Sequence, residues 1–133
     1  MCILYAMIMK TVWVVLVAVV VVVIGDIALS KAMRPLGEIR LDWAVMRPWL
    51  AEALRSRMFW VGIVCNVVFF LMWASTLSWA DLSVAMPLTA MSYIIGTIAA
   101  RLVLAEAVSP LRWFGTLLIA AGVVCVSWSA HKP

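Results

Sequence analysis

Hydrophobic residues fall in four long blocks with short polar stretches between them, at positions of about 11–30, 58–79, 82–104 and 111–128. A block of about 20 residues at 1.5 Å of rise per residue makes roughly 30 Å of helix, the thickness of a bilayer's hydrocarbon core. The pattern predicts an all-α, integral membrane bundle of four transmembrane helices, built as a single domain over residues 1–133. The third and fourth blocks meet at a polar joint, Ala105 to Arg112, too short to do more than turn the chain back. The centre of the first block, Val14 to Val23, is almost all valine. Valine is a mediocre helix former in water, but in lipid the backbone must bond to itself.

The segment between the first two blocks has a different rhythm. Pro35-Leu36-Gly37 predicts a turn. Over about 39–56, Trp43, Met46, Leu50 and Ala53/Leu54 recur at helical spacing, with Arg40, Arg47, Glu52 and Arg55 largely between them. That is an interfacial amphipathic helix between the first two spans, or two helices broken at Pro48. Trp43 and Trp49 favour the membrane interface; docking of a partner enzyme is the alternative use of this elbow. Met1 to Met9 is an apolar leader ending at Lys10: a helix extension, an interfacial tail or residues upstream of the natural start. With no A-x-A cleavage site, a removed signal peptide is disfavoured.

Composition agrees with a polytopic membrane protein: 68% of residues are hydrophobic and 12% charged, against about 45–50% and 25% in soluble domains. The net charge of +4 does not mark a nucleic-acid binder, because no basic stripe with interleaved aromatics lies outside the apolar blocks. The basic residues instead report orientation. Eight of the ten lysines and arginines fall in the first and third loops or at their edges; Lys10 and Lys132 lie on the other side. The positive-inside rule places both loops in the cytoplasm and both termini outside, in one fixed orientation. Cys2, Cys65 and Cys125 are scattered, and His131 sits alone in the tail. They read as packing and surface residues, with no metal site, no disulfide and no cofactor. No nucleophile–base pair or glycine-rich phosphate loop is present, so no catalysis is expected.

Within the blocks, a few residues stand out. Asp26 is an ionisable group near the end of the first span. Such a group is either functional or hydrated by the headgroups, or it pairs with Lys31 or Arg34. Asn66 sits at mid-depth, where it bonds a neighbouring helix or touches a substrate. Pro87 removes a backbone donor from the third span and kinks it, and such a break often faces a cavity. Gly96 lies mid-way along that span, with Arg101 and Glu106 bracketing its exit. Gly115 and Gly122, seven residues apart, share one face of the fourth span and suit close packing of helices or a dimer contact.

Residues 83–126, SVAMPLTAMSYIIGTIAARLVLAEAVSPLRWFGTLLIAAGVVCV, resemble the last two helices of the drug/metabolite transporter superfamily, and within it the EamA-type proteins. The marks are L-S-V-A-x-P-L at the start of the third span, L-x-E-x-V-S-P-x-R-W-x-G at the joint, and G-x-x-L-I-x-A-G-V in the fourth span. GDIALSKAM, at the end of the first, is a weaker echo. Full-length members have ten spans, so four spans resemble the small members. One such group is the small multidrug resistance exporters, proton-coupled dimers that depend on a buried glutamate in span one. Aligned on Gly25, that glutamate falls near Val22, and the exporters' span-three Tyr and Trp fall near Met86 and Thr89. All three hallmarks are missing. The other group, the four-helix subunits of the flippase for undecaprenyl-phosphate-linked aminoarabinose, carries Ala-Tyr-Pro in span three, and Ala85-Met86-Pro87 keeps the proline.

The resemblance implies a small transporter of the bacterial inner membrane, a homodimer or one of a pair of similar subunits, that moves a lipid-linked or amphipathic metabolite. Its partners would be membrane lipids and a lipid-linked sugar or polyprenyl phosphate. Lys31, Arg34, Arg101 and Arg112 are then candidates for an anionic headgroup, or plain loop anchors. Asp26 would be the coupled charge and Pro87 the flexible point of span three. The alternatives are a non-transporting accessory subunit of a glycolipid-modifying enzyme, and a cation exporter whose proton site moved from Val22 to Asp26.

Overall fold

The computed structural model describes residues 2–37 and 43–129, and every regular element among them is helical. Helix α1 spans Cys2–Met33, so the apolar leader from Cys2 onward extends the first span rather than standing apart. A short 3-10 turn, Arg34–Leu36, follows, and Gly37 closes it at φ 71, a backbone setting that favours glycine. Then come α2 (Trp43–Arg55), α3 (Arg57–Thr76), α4 (Leu82–Thr89), α5 (Met91–Val103) and α6 (Pro110–Ser129). Three stretches are long and apolar enough to cross a membrane: Met9–Leu36, Arg57–Thr76 and Leu82–Val103. The apolar part of α6, Pro110–Val126, is shorter. The first residues of the predicted elbow helix, with Arg40, lie outside the described residues, as do His131 and Lys132.

The boundaries of the second, third and fourth apolar blocks differ from the hydrophobic pattern, each for a local reason. The second span, expected to reach position 79, stops at Thr76 and gives way to a turn. The hydroxyls of Ser75, Thr76 and Ser78 donate to the carbonyls of Leu71, Met72 and Ser75 at 2.7–2.8 Å, and such back-bonding competes with the helical ladder. The third span is two helices that meet at Ala90. Ala90 N–H donates to the Pro87 carbonyl and Tyr93 N–H to the Ala90 carbonyl, the tighter pattern that relieves a proline-weakened turn. The elbow is one helix with Pro48 inside it rather than two. Helix α6, the expected fourth span, starts at Pro110, and Ser109 caps it. Ser109 Oγ accepts from Arg112 N–H at 3.4 Å, and proline suits the first helical position.

Helix α1 packs chiefly on α3 and also on α4 and α5, and α6 packs on α4 and α5. The face of α1 that meets these neighbours carries Thr11, Val15, Ala18, Val19, Val23, Ala28 and Ala32, all buried; apart from the adjacent pair Ala18 and Val19, successive members lie three to five residues apart. Val15 and Val19 form a core with Leu88, backed by Val12, Val84 and Ile95. The α1–α3 crossing is tight because both helices present glycine. A Cβ placed at Gly25 would stand 2.8 Å from Cys65 Cβ, and one at Gly62 would stand 3.0 Å from the Gly25 carbonyl. Gly96, Gly115 and Gly122, the small residues expected to mediate packing, have no atom within 4 Å of a would-be Cβ. Close approach within the chain is therefore the work of Gly25 and Gly62.

Ala105, just past α5, has φ 51. The left-handed region costs a non-glycine residue roughly 1–2 kcal/mol. Ala105→Gly is expected to raise stability by about 0.5–1 kcal/mol once glycine's own entropy is set against that strain. Thermal unfolding in detergent measures it.

Candidate functional site

Between α1 and the α4–α5 pair, at the end of the bundle that holds the α5–α6 joint, lies a cavity of about 800 Å3. That is the size of a site for a small organic ligand. Helix α1 supplies Val22, Asp26, Ile27 and Ser30, and α3 adds Phe69. Helix α5 offers Ser92, Tyr93, Gly96, Thr97 and Ala100, with Thr89 just before it. Residues three, four and seven apart share one helix face, so the hydroxyls stand in a row. The joint and the start of α6 complete the wall with Glu106, Val108 and Arg112.

Three charged side chains therefore line the cavity: Asp26, Glu106 and Arg112. Asp26 lies seven residues before the end of α1, about 10 Å inside the helix terminus. It is exposed to the cavity side and has no ion pair or hydrogen bond among the described residues. The expected pairing of Asp26 with Lys31 or Arg34 does not form. Arg34 bonds Glu106 instead, and its Nη1 donates to the Leu104 carbonyl at 3.3 Å. Glu106 is held there by the reversed backbone at Ala105, which turns Glu106 N–H back to the Ala100 carbonyl at 3.2 Å. Arg112 is fixed at the third position of α6 by the Ser109 cap. The hydroxyls of Thr97 and Thr116 lie 3.4 Å apart across α5 and α6, and Thr116 also donates to the Arg112 carbonyl at 2.8 Å.

Of the residues singled out from sequence, Asp26, Gly96 and Arg112 line the cavity, and Arg34 touches it through Glu106. Pro87 does not line it, but its neighbours Met86, Thr89 and Ala90 do. Asn66 stays outside; its Nδ2 donates to the Gly62 carbonyl of its own helix at 3.1 Å, beside the Gly25 crossing, not to a neighbouring helix. Lys31 and Arg101 are exposed, lie outside the lining and form no ion pair among the described residues. Two features were not assigned to a site from sequence. Glu106 appeared only as a charge at the exit of span three. The hydroxyl row Thr89, Ser92, Tyr93 and Thr97 had its signal in spacing alone. Among the described residues no cluster of metal-ligating side chains occurs.

No family model matches the chain, and no solved structure matches it. Individual proteins do. It is 31% identical over 100 residues to a Pseudomonas savastanoi pv. phaseolicola protein named "Probable 4-amino-4-deoxy-L-arabinose-phosphoundecaprenol flippase subunit ArnE", covering 75% of this chain and 82% of that one. A protein of the same name from Pseudomonas fluorescens is 31% identical over 84% of this chain and 91% of its own length. One from Pseudomonas aeruginosa is 35% identical over 62% and 70%. The chain belongs to the ArnE flippase-subunit family. This agrees with the resemblance read from residues 83–126, and it makes the chain a small multi-pass membrane protein of transporter type. Val22, Met86 and Thr89, near which the sequence resemblance put the exporters' glutamate, Tyr and Trp, all line the cavity, and the carboxylates on its wall are Asp26 and Glu106.

Proposed function

We propose that the chain is one subunit of an inner-membrane flippase, and that its cavity takes the polar head of a 4-amino-4-deoxy-L-arabinose-phosphoundecaprenol-like lipid. The observation that carries this is the charge on the cavity wall: two carboxylates, Asp26 and Glu106, with one guanidinium, Arg112. A head group with both an ammonium and a phosphate has a partner for each charge there. The hydroxyl row of α5 suits a sugar ring.

Four spans, α1, α3, α4–α5 and α6, complete this reading, with α2 lying along the membrane surface and loops one and three in the cytoplasm, as the basic residues favour. A second subunit, another copy or a similar small chain, covers the exposed apolar faces of the bundle. Helix α3 exposes Val64, Val67, Phe70 and Leu71, and α6 exposes Phe114, Leu117 and Leu118. Gly115 and Gly122, uncovered within the chain, are available to that contact. Native mass spectrometry of the detergent-extracted protein tests the cargo. A co-purifying polyprenyl phosphate sugar is expected, lost on Arg112→Gln. Repeated absence of any lipid, with a strictly monomeric mass, would contradict the reading.

One observation favours a second reading. Asp26 is unpaired on the cavity wall one turn from Val22, the position of the exporters' glutamate. A proton-coupled cation exporter with its site at Asp26 loses dye efflux on Asp26→Asn; efflux that survives the change removes this reading.

A further inference from the structure

The one ion pair among the described residues, Arg34 with Glu106, has the wrong construction for a structural staple. Its side chains are 47% and 36% exposed, and half-exposed pairs contribute little to stability in water. It joins positions 72 residues apart, from the turn after α1 to the joint after α5. The guanidinium is also poorly used. One Nη meets a single carboxylate oxygen, and the other makes a long 3.3 Å bond to the Leu104 carbonyl. A planar fork of this kind binds a phosphate through two parallel bonds better than it binds that pair of acceptors. Glu106 in turn is one of the three charged groups lining the cavity, so releasing it from Arg34 leaves a carboxylate free on the same wall as Asp26.

From this we infer that Glu106 is a specificity-determining residue that a head group must displace from Arg34. The phosphate takes Arg34, and Glu106 then needs a cation. A lipid phosphate without an amine takes Arg34 and sets its own negative charge beside a carboxylate that has lost its partner, a like-charge contact that costs affinity. A lipid that carries an ammonium beside its phosphate pairs both partners of the broken bridge. Selection between the two lipids thus arises by exchange of one ion pair for two, and not from shape alone. The strained backbone at Ala105 supports the assignment, since it is what turns the segment carrying Glu106 towards Arg34. This inference rests on the lipid-flippase reading.

The test is binding of two probes, undecaprenyl phosphate and its 4-amino-4-deoxyarabinose derivative, to the full chain in nanodiscs. The wild type is expected to prefer the amino lipid by about tenfold or more, the worth of a charge-assisted hydrogen bond. Glu106→Gln is expected to bind undecaprenyl phosphate more tightly and to bring the two affinities within about threefold. Arg34→Gln is expected to weaken both probes. The exchange Arg34→Glu with Glu106→Arg controls for folding, since it restores the bridge while misplacing both charges, and should bind neither probe well. If Glu106→Gln keeps the wild-type preference, the inference is overturned while the lipid reading stands. If the wild type binds neither probe, both fall. If inorganic phosphate competes as well as the lipids do, the site is one for free anions and the inference fails.

Discussion

Gly25→Leu is expected to force α1 and α3 apart and to lower stability by about 1–3 kcal/mol, the usual cost of overpacking. The constraint is rigid. A Cβ alone at position 25 would stand 2.8 Å from Cys65 Cβ and 3.2 Å from the Gly62 carbonyl, and neither atom can swing aside. Gly25→Ala should act in the same direction and more weakly. Gly62→Ala meets chiefly the tip of Leu29, which can rotate, although it also comes within 3.0 Å of the Gly25 carbonyl. Gly96→Ala, Gly115→Ala and Gly122→Ala meet nothing within 4 Å. In the isolated chain they should be neutral, or raise stability by up to about 1 kcal/mol through helix propensity. Thermal unfolding of the series in one detergent separates these outcomes. A Gly25→Leu protein as stable as the wild type would show that the crossing is not the close contact described.

Asp26→Asn carries the other large effect. The carboxylate is unpaired on the cavity wall, so its loss disturbs no bridge, and the fold should be unchanged. Affinity for a lipid with an amine in its head group is expected to fall by about ten- to hundredfold. Affinity for undecaprenyl phosphate should change little. Loss of both lipids together would assign Asp26 a role in the fold rather than in recognition.

Much of the fold was legible because lipid makes simple demands. Length and apolarity alone marked the stretches of α1, α3 and α4–α5, and Pro87 announced the break near Ala90. Ser109-Pro110 explains in physical terms why the joint motif resembles that of a transporter family: it caps and starts α6. The close contact within the chain was not legible, because it joins residues far apart in sequence. Gly115 and Gly122 share a helix face, which invited a packing role. Gly25 and Gly62 sit in different spans, and nothing in either span says that they meet. Asn66 was read as a bond between helices, yet its amide is satisfied four residues back in its own.

The cavity was legible in pieces only. Asp26 and Arg112 stood out as charges beside apolar blocks. Their convergence with Glu106 depends on α1 running beside α5, and on a left-handed residue at Ala105 that sequence gives no reason to expect, since glycine is the usual occupant. Arg34 lies eight residues after Asp26, in the turn that follows α1, and the sequence offered the two as a pair; packing at the joint gives Arg34 to Glu106 instead.

The cavity's role can be tested most directly by photo-cross-linking in native membranes, with an aminoarabinose-phosphoundecaprenol labelled in its sugar. Phe69 lines the cavity, whereas Phe70, the next residue, is 64% exposed on the outer face of α3. Phe69→benzoylphenylalanine is expected to capture the labelled head group and Phe70→benzoylphenylalanine to capture little, with the Phe69 signal falling about tenfold when Asp26→Asn is added. Equal capture from both positions, or a Phe69 signal indifferent to Asp26→Asn, would contradict a head-group site in this cavity.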